Sequence, residues 1–209
     1  MPMTDREFED ILALGHERRG TEFKGPGPRT DKYLFAKVAR ASLGMANHRD
    51  GGIVAIGVED KNNVIKPVGL NATDLATWNY DEVSTSLAAY ADPSVSFDLQ
   101  ILNYKDNSHV ILKIHEFEDI PVLCRQDYIR GDEVVLRKGA CYVRSRHKPE
   151  TSEIPSQEDM RDLLDLATDK GVTKFVARAV KSDLIIVSPL GATAPADKEL
   201  FEAQLDDLR

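Results

Sequence analysis

The stretch MANHRDGGIVAIGVED, residues 45–60, decides how the rest of the chain is read. Its run from Ile53 to Val58 is apolar and β-branched, with Gly51-Gly52 before it and Glu59-Asp60-Lys61-Asn62-Asn63 after it, which describes a buried strand between turns. A run without a polar face belongs in the middle of a sheet. Upstream, Thr30 or Asp31 is expected to cap a helix that turns Leu34, Val38, Ala41 and Met45 inward and ends at Asn47. Gly51-Gly52 then reads as a structural turn with positive φ in preference to a phosphate cradle.

Working outward, Thr4 and Glu7 fit a capping box, and Met3 with Phe8 fits a hydrophobic staple. The helix they start carries Phe8, Ile11 and Leu12 on one side and stops at Gly15. Thr21 to Lys24 reads as a short strand, followed by the loop GPGPRT. Downstream, residues 64–68 are a possible hairpin partner and 80–91 a helix. Val95–Tyr104 and His109–His115 form a hairpin around residues 105–108, with further strands at 120–124, 134–137 and 140–145, the last two turning at Lys138-Gly139. A helix from Ser156 places Met160, Leu163, Leu164 and Ala167 inward. Beyond it, PLGATAPAD is linker-like, and Leu200, Phe201, Leu205 and Leu208 stripe a short terminal helix. Elements interspersed in this way predict an α+β fold, a mixed, largely antiparallel sheet with packed helices. The expected division is a main domain over residues 1–170 and a tail over 171–209.

Several function classes are unsupported. No stretch approaches the roughly 20 apolar residues of a membrane span, and MPMTDREFED lacks the features of a signal peptide, so a cytoplasmic protein without membrane association is expected. Neither GxxxxGK[ST] nor GxGxxG after a strand is present, which leaves ATP binding without support. Cys124 and Cys141 read as buried thiols in a reducing compartment, and no HExxH or paired CxxC suggests zinc. The formal net charge of -8 argues against coating DNA by bulk attraction. Two windows run the other way: residues 15–50 hold eight basic and four acidic residues, and residues 125–148 hold seven and three. Brought together they would make a basic groove, although solvated faces give the same counts.

The segments EFKGPG and MANHRDGGIVAIGVED, with Glu17 before them and YVRS at 142–145 after them, resemble the Schlafen AlbA-like domain family of bacterial Schlafen-like proteins. The resemblance implies nucleic-acid handling and, more sharply, an endoribonuclease that cuts tRNA or other structured RNA. Its three carboxylates would be Glu17, Glu22 and Asp60, acting with Mg²⁺ or Mn²⁺. That chemistry is physically sensible, because hard carboxylate oxygens suit these cations and a cation offsets phosphate charge and activates water. Glu17 and Glu22, five apart, converge only if the chain bends, and Gly20 offers the place. Glu22 and Lys24 share a strand face from which Lys24 can reach a phosphate, while Phe23 turns into the core.

Plainer roles remain open at this point: Glu17 paired with Arg18 or Arg19, Glu22 with Lys24, and Asp60 as a turn residue. Arg18, Arg19, Arg144, Arg146 and Lys148, with His147, are expected nucleic-acid contacts, Arg144 and its neighbours at a strand end. The preferred reading is thus a metal-dependent endoribonuclease, RNA before DNA. Its alternative is a non-catalytic DNA- or RNA-binding module, and a third reading is an adaptor regulated through the acidic tail. Bacterial relatives often join this domain to another module, whereas here a short acidic tail follows. One domain per chain suggests a homodimer.

Overall fold

The Thr4 hydroxyl accepts from the Glu7 amide at 3.3 Å, and the Glu7 carboxylate accepts from the Thr4 amide at 2.7 Å, completing the expected capping box. These hydrogen bonds hold the Glu7 carboxyl below its ordinary pKa. The structure, a computed structural model, describes residues 2–15, 18–61, 64–145 and 150–182. The chain divides into two compact units, Met1–Lys170 and Gly171–Arg209. In order, its elements are α1 (Asp5–Ala13), β1 (Thr21–Lys24), α2 (Lys32–Ala46), β2 (Gly52–Ile56), β3 (Val58–Lys61), β4 (Val64–Pro67), α3 (Ala72–Leu75), α4 (Tyr80–Ala88), β5 (Ala91–Asp92), β6 (Phe97–Tyr104), β7 (Asn107–Ile114), β8 (Leu123–Cys124), β9 (Tyr128–Arg130), β10 (Glu133–Leu136), β11 (Tyr142–Arg144), β12 (Thr151–Glu153) and α5 (Gln157–Lys181). The fold is α+β, and no helix among the described residues is long and apolar enough to cross a membrane.

The main sheet runs β1-β2-β7-β6, with β1 parallel to β2 and the other pairs antiparallel. β2 is interior, as its apolar run requires. Period-two alternation divides the residues between two cores. Val54, Ile56, Leu112 and Ile114 join Val38, Ala41 and Met45 of α2 in the larger cluster. Phe23, Ala55 and Ile111, one register row, join Phe8 of α1 in the smaller. Glu22 stands opposite Val54 and Lys24 opposite Ile56, so both belong to the α2 face at the sheet edge.

Four local expectations change. The apolar run 53–58 is broken at Gly57, whose φ is 96° and where a Cβ would lie 2.7 Å from Leu70 Cδ1. After this break β3 leaves the sheet and pairs with β4. The β6–β7 turn is only Lys105-Asp106, both at positive φ, tighter than the four residues expected. Residues 134–137 and 140–145 do turn at Lys138-Gly139, but they do not pair with each other: β10 pairs with β9, and β11 with β12.

Finally, α5 buries Leu163 and Leu166 while Met160 and Leu164 are 41% and 56% exposed. The inward face also carries Asp159, buried and bonded to its capping residue Ser156, and Asp162, which lies 3.4 Å from Arg19. Residues 159, 162, 163 and 166 share one side of a helix, so the charge contact to Arg19 fixes the rotation that an apolar count alone misplaced.

Candidate nucleic-acid interface

β1 is an edge strand, and its α2-facing residues are not solvated. Glu22 Oε1 accepts from Lys24 Nζ, and Glu22 Oε2 accepts from Arg144 Nη1 and, at 3.0 Å, from the Thr151 hydroxyl. Arg144 is 0% exposed. Its Nε donates to the Arg19 carbonyl at 2.8 Å, and Nη2 donates to the carbonyls of Arg18 and Thr21, both at 3.0 Å. A strand-end cation reaching for phosphate is therefore not what Arg144 is here. Its planar fork satisfies the carbonyls of the 18–21 turn and neutralises Glu22 from inside the protein.

Asp60 is exposed on β3, opposite Ile65, and is a strand residue and not a turn residue. It faces a cleft of about 380 Å³ whose lining includes Lys24, Pro26, Tyr33, Leu34 and Lys37. The structure thus brings Lys24 and Asp60 to one cleft and leaves Glu22 behind Lys24. Glu17, Arg146, His147 and Lys148 lie outside the described residues.

The expected turn residues hold this arrangement from below. Asn47 is buried; its amide nitrogen donates to the carbonyls of Val122 (2.8 Å) and Tyr142 (2.9 Å), and its oxygen accepts from the Val122 amide (2.8 Å). Gly51 has φ 70°, and a Cβ there would lie 2.0 Å from the Ile114 carbonyl oxygen; at Gly52 it would lie 2.1 Å from Met45 Sδ. Close packing leaves no room for a side chain at either, and only Gly51 has the positive φ expected of the pair. Burial pulls the pKa of neighbouring His48 down, with Arg19 and Arg144 adding repulsion, and raises that of the Cys141 thiol to about 11.

The family profile "Schlafen, AlbA_2" matches residues 17–151. The chain belongs to the Schlafen AlbA_2 family. The matched span contains the whole β1-to-β11 framework just described, including Glu22, Asp60 and Arg144. Among solved structures, the chain is similar to the DIP2311 protein of Corynebacterium diphtheriae, with 19% identity, TM-score 0.41, 65% of this chain and 26% of that one covered. It therefore spans about a quarter of that relative's length. It is also similar to the N-terminal domain of a RecG-related protein of Nitrosomonas europaea, with 18% identity, TM-score 0.47, 66% of this chain and 89% of that one covered. No match was found among curated proteins.

Within this Schlafen domain several of the basic residues counted in the two windows are already paired with carboxylates, Lys24 and Arg144 both with Glu22. Arg19 meets Asp159 and Asp162, Arg29 meets Glu82, Arg49 meets Asp169, and Arg137 meets Glu153. Arg18 keeps an exposed side chain. The windows do meet, but at residues the sequence did not single out: Lys37 Nζ lies 4.0 Å and Arg130 Cζ 4.1 Å from the centroid of the Tyr33 ring. Helical spacing of four placed Lys37 beside Tyr33 in the sequence, whereas nothing local signals Arg130, which arrives on the β9–β10 hairpin.

Of the expected donors for Mg²⁺ or Mn²⁺, Glu22 and Asp60 lie among the described residues, and Glu22 is already occupied. Both Glu22 oxygens are engaged by cations, and a metal ion would have to displace Lys24 or leave the interior Arg144 uncompensated. Among the described residues no group of three or more His, Cys, Asp or Glu is placed to hold a metal ion.

Proposed function

We propose that this Schlafen AlbA_2 domain binds nucleic acid, RNA in preference to DNA, at the cleft between β1, the start of α2, and β3. The observation that carries the reading is the convergence of Lys24 and Asp60 on that cleft in a member of this family. Lys24 is turned toward the cleft by β1 pairing, and its charge, shared with Glu22, is available to a phosphate that approaches from solvent. Fluorescence anisotropy with labelled RNA and DNA oligonucleotides of one sequence tests it. Tighter RNA binding that weakens with salt supports the reading; no binding of either at 50 mM salt refutes it.

A second reading, the metal-dependent endoribonuclease with Glu17, Glu22 and Asp60 as ligands, draws support from Asp60, which lines that cleft beside Lys24. It requires Lys24 to exchange Glu22 for phosphate. A divalent ion supplies charge neutralisation and water activation in such chemistry. Incubation of the protein with a tRNA pool and Mn²⁺, with and without EDTA, separates the two: EDTA-sensitive products lost in Glu22→Ala and Asp60→Ala favour the nuclease. Intact tRNA at stoichiometric protein favours the binding module. A homodimer is proposed on the same footing, with light scattering as its test.

A further inference from the structure

We infer that Tyr33, Lys37 and Arg130 form a clamp for one nucleotide unit of a single strand, extending the cleft toward the β9–β10 hairpin; this rests on the nucleic-acid reading above. Three observations converge. First, Lys37 and Arg130 both sit over the same ring, at 4.0 and 4.1 Å, and neither makes an ion pair with a carboxylate among the described residues. Two cations gathered over one ring, with no ion pair to a described carboxylate, in a chain of net charge -8, mark a place for an anion from outside. Glu133 takes the Tyr33 hydroxyl at 2.8 Å, which fixes the ring to the hairpin and leaves the two cations unbridged.

Second, the cleft beside them is of nucleotide scale, about 380 Å³, and mixes apolar walls from Leu34 and Val58 with Tyr33 and Lys37. A base can lie against the apolar wall while its phosphate meets the ammonium and the guanidinium that the Tyr33 ring holds, a pairing of base contact and backbone charge by which sequence-tolerant single-strand sites work. Third, the geometry is held on both sides: Asp31 caps α2 through the amides of Tyr33 and Leu34, and the hairpin is anchored by the buried Val135 and Leu136. Duplex would not enter a cleft of this size with its bases paired, so the ligand is a single-stranded segment.

The probe is a fluorescein-labelled 20-nucleotide oligouridylate, bound to the full chain across 0.1 to 1 M salt. Two lost phosphate contacts should reduce the salt slope by about 1.4 in Lys37→Ala/Arg130→Ala, which at 0.1 M is roughly 25-fold in affinity relative to 1 M. Arg130 is exposed, so Arg130→Ala alone cannot disturb the core and should remove about 0.7 of the slope. Tyr33→Ala, which removes the ring that holds both cations, should lower affinity about tenfold. A wild-type protein that binds while both charge variants keep its slope overturns the clamp and spares the nucleic-acid reading. A wild type that does not bind the oligonucleotide, RNA or DNA, takes both down. Equal effects of the charge variants on a 20-base-pair duplex of the same length would also overturn the single-strand assignment.

Discussion

Replacing Arg144 with Ala should destabilise the protein severely and, in the molecules that remain folded, leave the salt dependence of nucleic-acid binding unchanged. The side chain is 0% exposed, donates to three main-chain carbonyls and faces a Glu22 carboxylate whose side chain is 12% exposed. Removing one partner of such a buried pair costs about 3–5 kcal/mol. Whole domains are stable by only about 5–15 kcal/mol. With a urea m-value of about 2 kcal/mol/M, a loss of about 4 kcal/mol displaces the unfolding midpoint by about 2 M. Arg144→Lys should recover less than half of this, because an ammonium on a flexible stem cannot reproduce the fork that spans Arg18, Arg19, Thr21 and Glu22. Urea titration followed by circular dichroism reads both variants, and anisotropy across a salt series reads the binding. A midpoint shift under about 0.5 M, the size expected of an exposed charge, together with a flatter salt slope, would falsify the interior-latch account and restore Arg144 as a phosphate contact.

Three other outcomes follow from the same framework. Gly51→Ala places a Cβ 2.0 Å from the Ile114 carbonyl at a φ of 70° and should cost at least about 2 kcal/mol, read as a fall in thermal midpoint; an unchanged midpoint counts against the packing argument. Asn47→Ala orphans the Val122 amide and the Val122 and Tyr142 carbonyls, at about 1–3 kcal/mol for each group that water cannot reach, so chemical denaturation should show a loss larger than that of an exposed Asn. His48 and His109 have pKa values pulled below 6.5 by burial, so the unfolded chain takes up protons first; their contribution to stability is intact above about pH 6.5 and is lost as pH falls through the lowered folded values. Thermal melts from pH 7.5 to 5 should shift downward, and His109→Leu should reduce the shift, whereas a variant with an undiminished shift would exclude His109 as a source.

Much of the framework was legible because it depends on local rules. The Thr4 box, the Asp31 cap, the TEFK strand and the stops at Gly15 and Asn47 are each decided within a few residues, and the structure follows them. What eluded the sequence was partnership across distance. Arg144 lies on a short strand that looks like a solvated edge until the carbonyls of residues 18–21 are folded over it. The β10 and β11 segments turn about Lys138-Gly139 just as a hairpin would, yet their partners come from elsewhere. Charge counting located the basic windows but not which cations α5 and other carboxylates would consume. Lys37 and Arg130 stand out by sharing the Tyr33 ring, a meeting that only the fold brings about. The proposed tail helix around Leu200 to Leu208, with its assembly or autoinhibitory role, lies outside the described residues.

The Arg144 fork also sets an order of events during synthesis. It ties the 18–21 turn to a strand 123 to 126 positions later, so the closure entropy of a loop longer than half the chain opposes the contact until β11 exists. At about 5–20 residues per second, the N-terminal half of the proposed interface leaves the ribosome roughly 6–25 s before the residue that locks it. In that interval Glu22 has only nearby cations such as Lys24, Arg18 and Arg19 to meet, and the turn carbonyls are left to water. The nascent chain therefore carries a hydrated, unlatched version of the proposed interface, which takes its final form late, when the YVR strand closes over it.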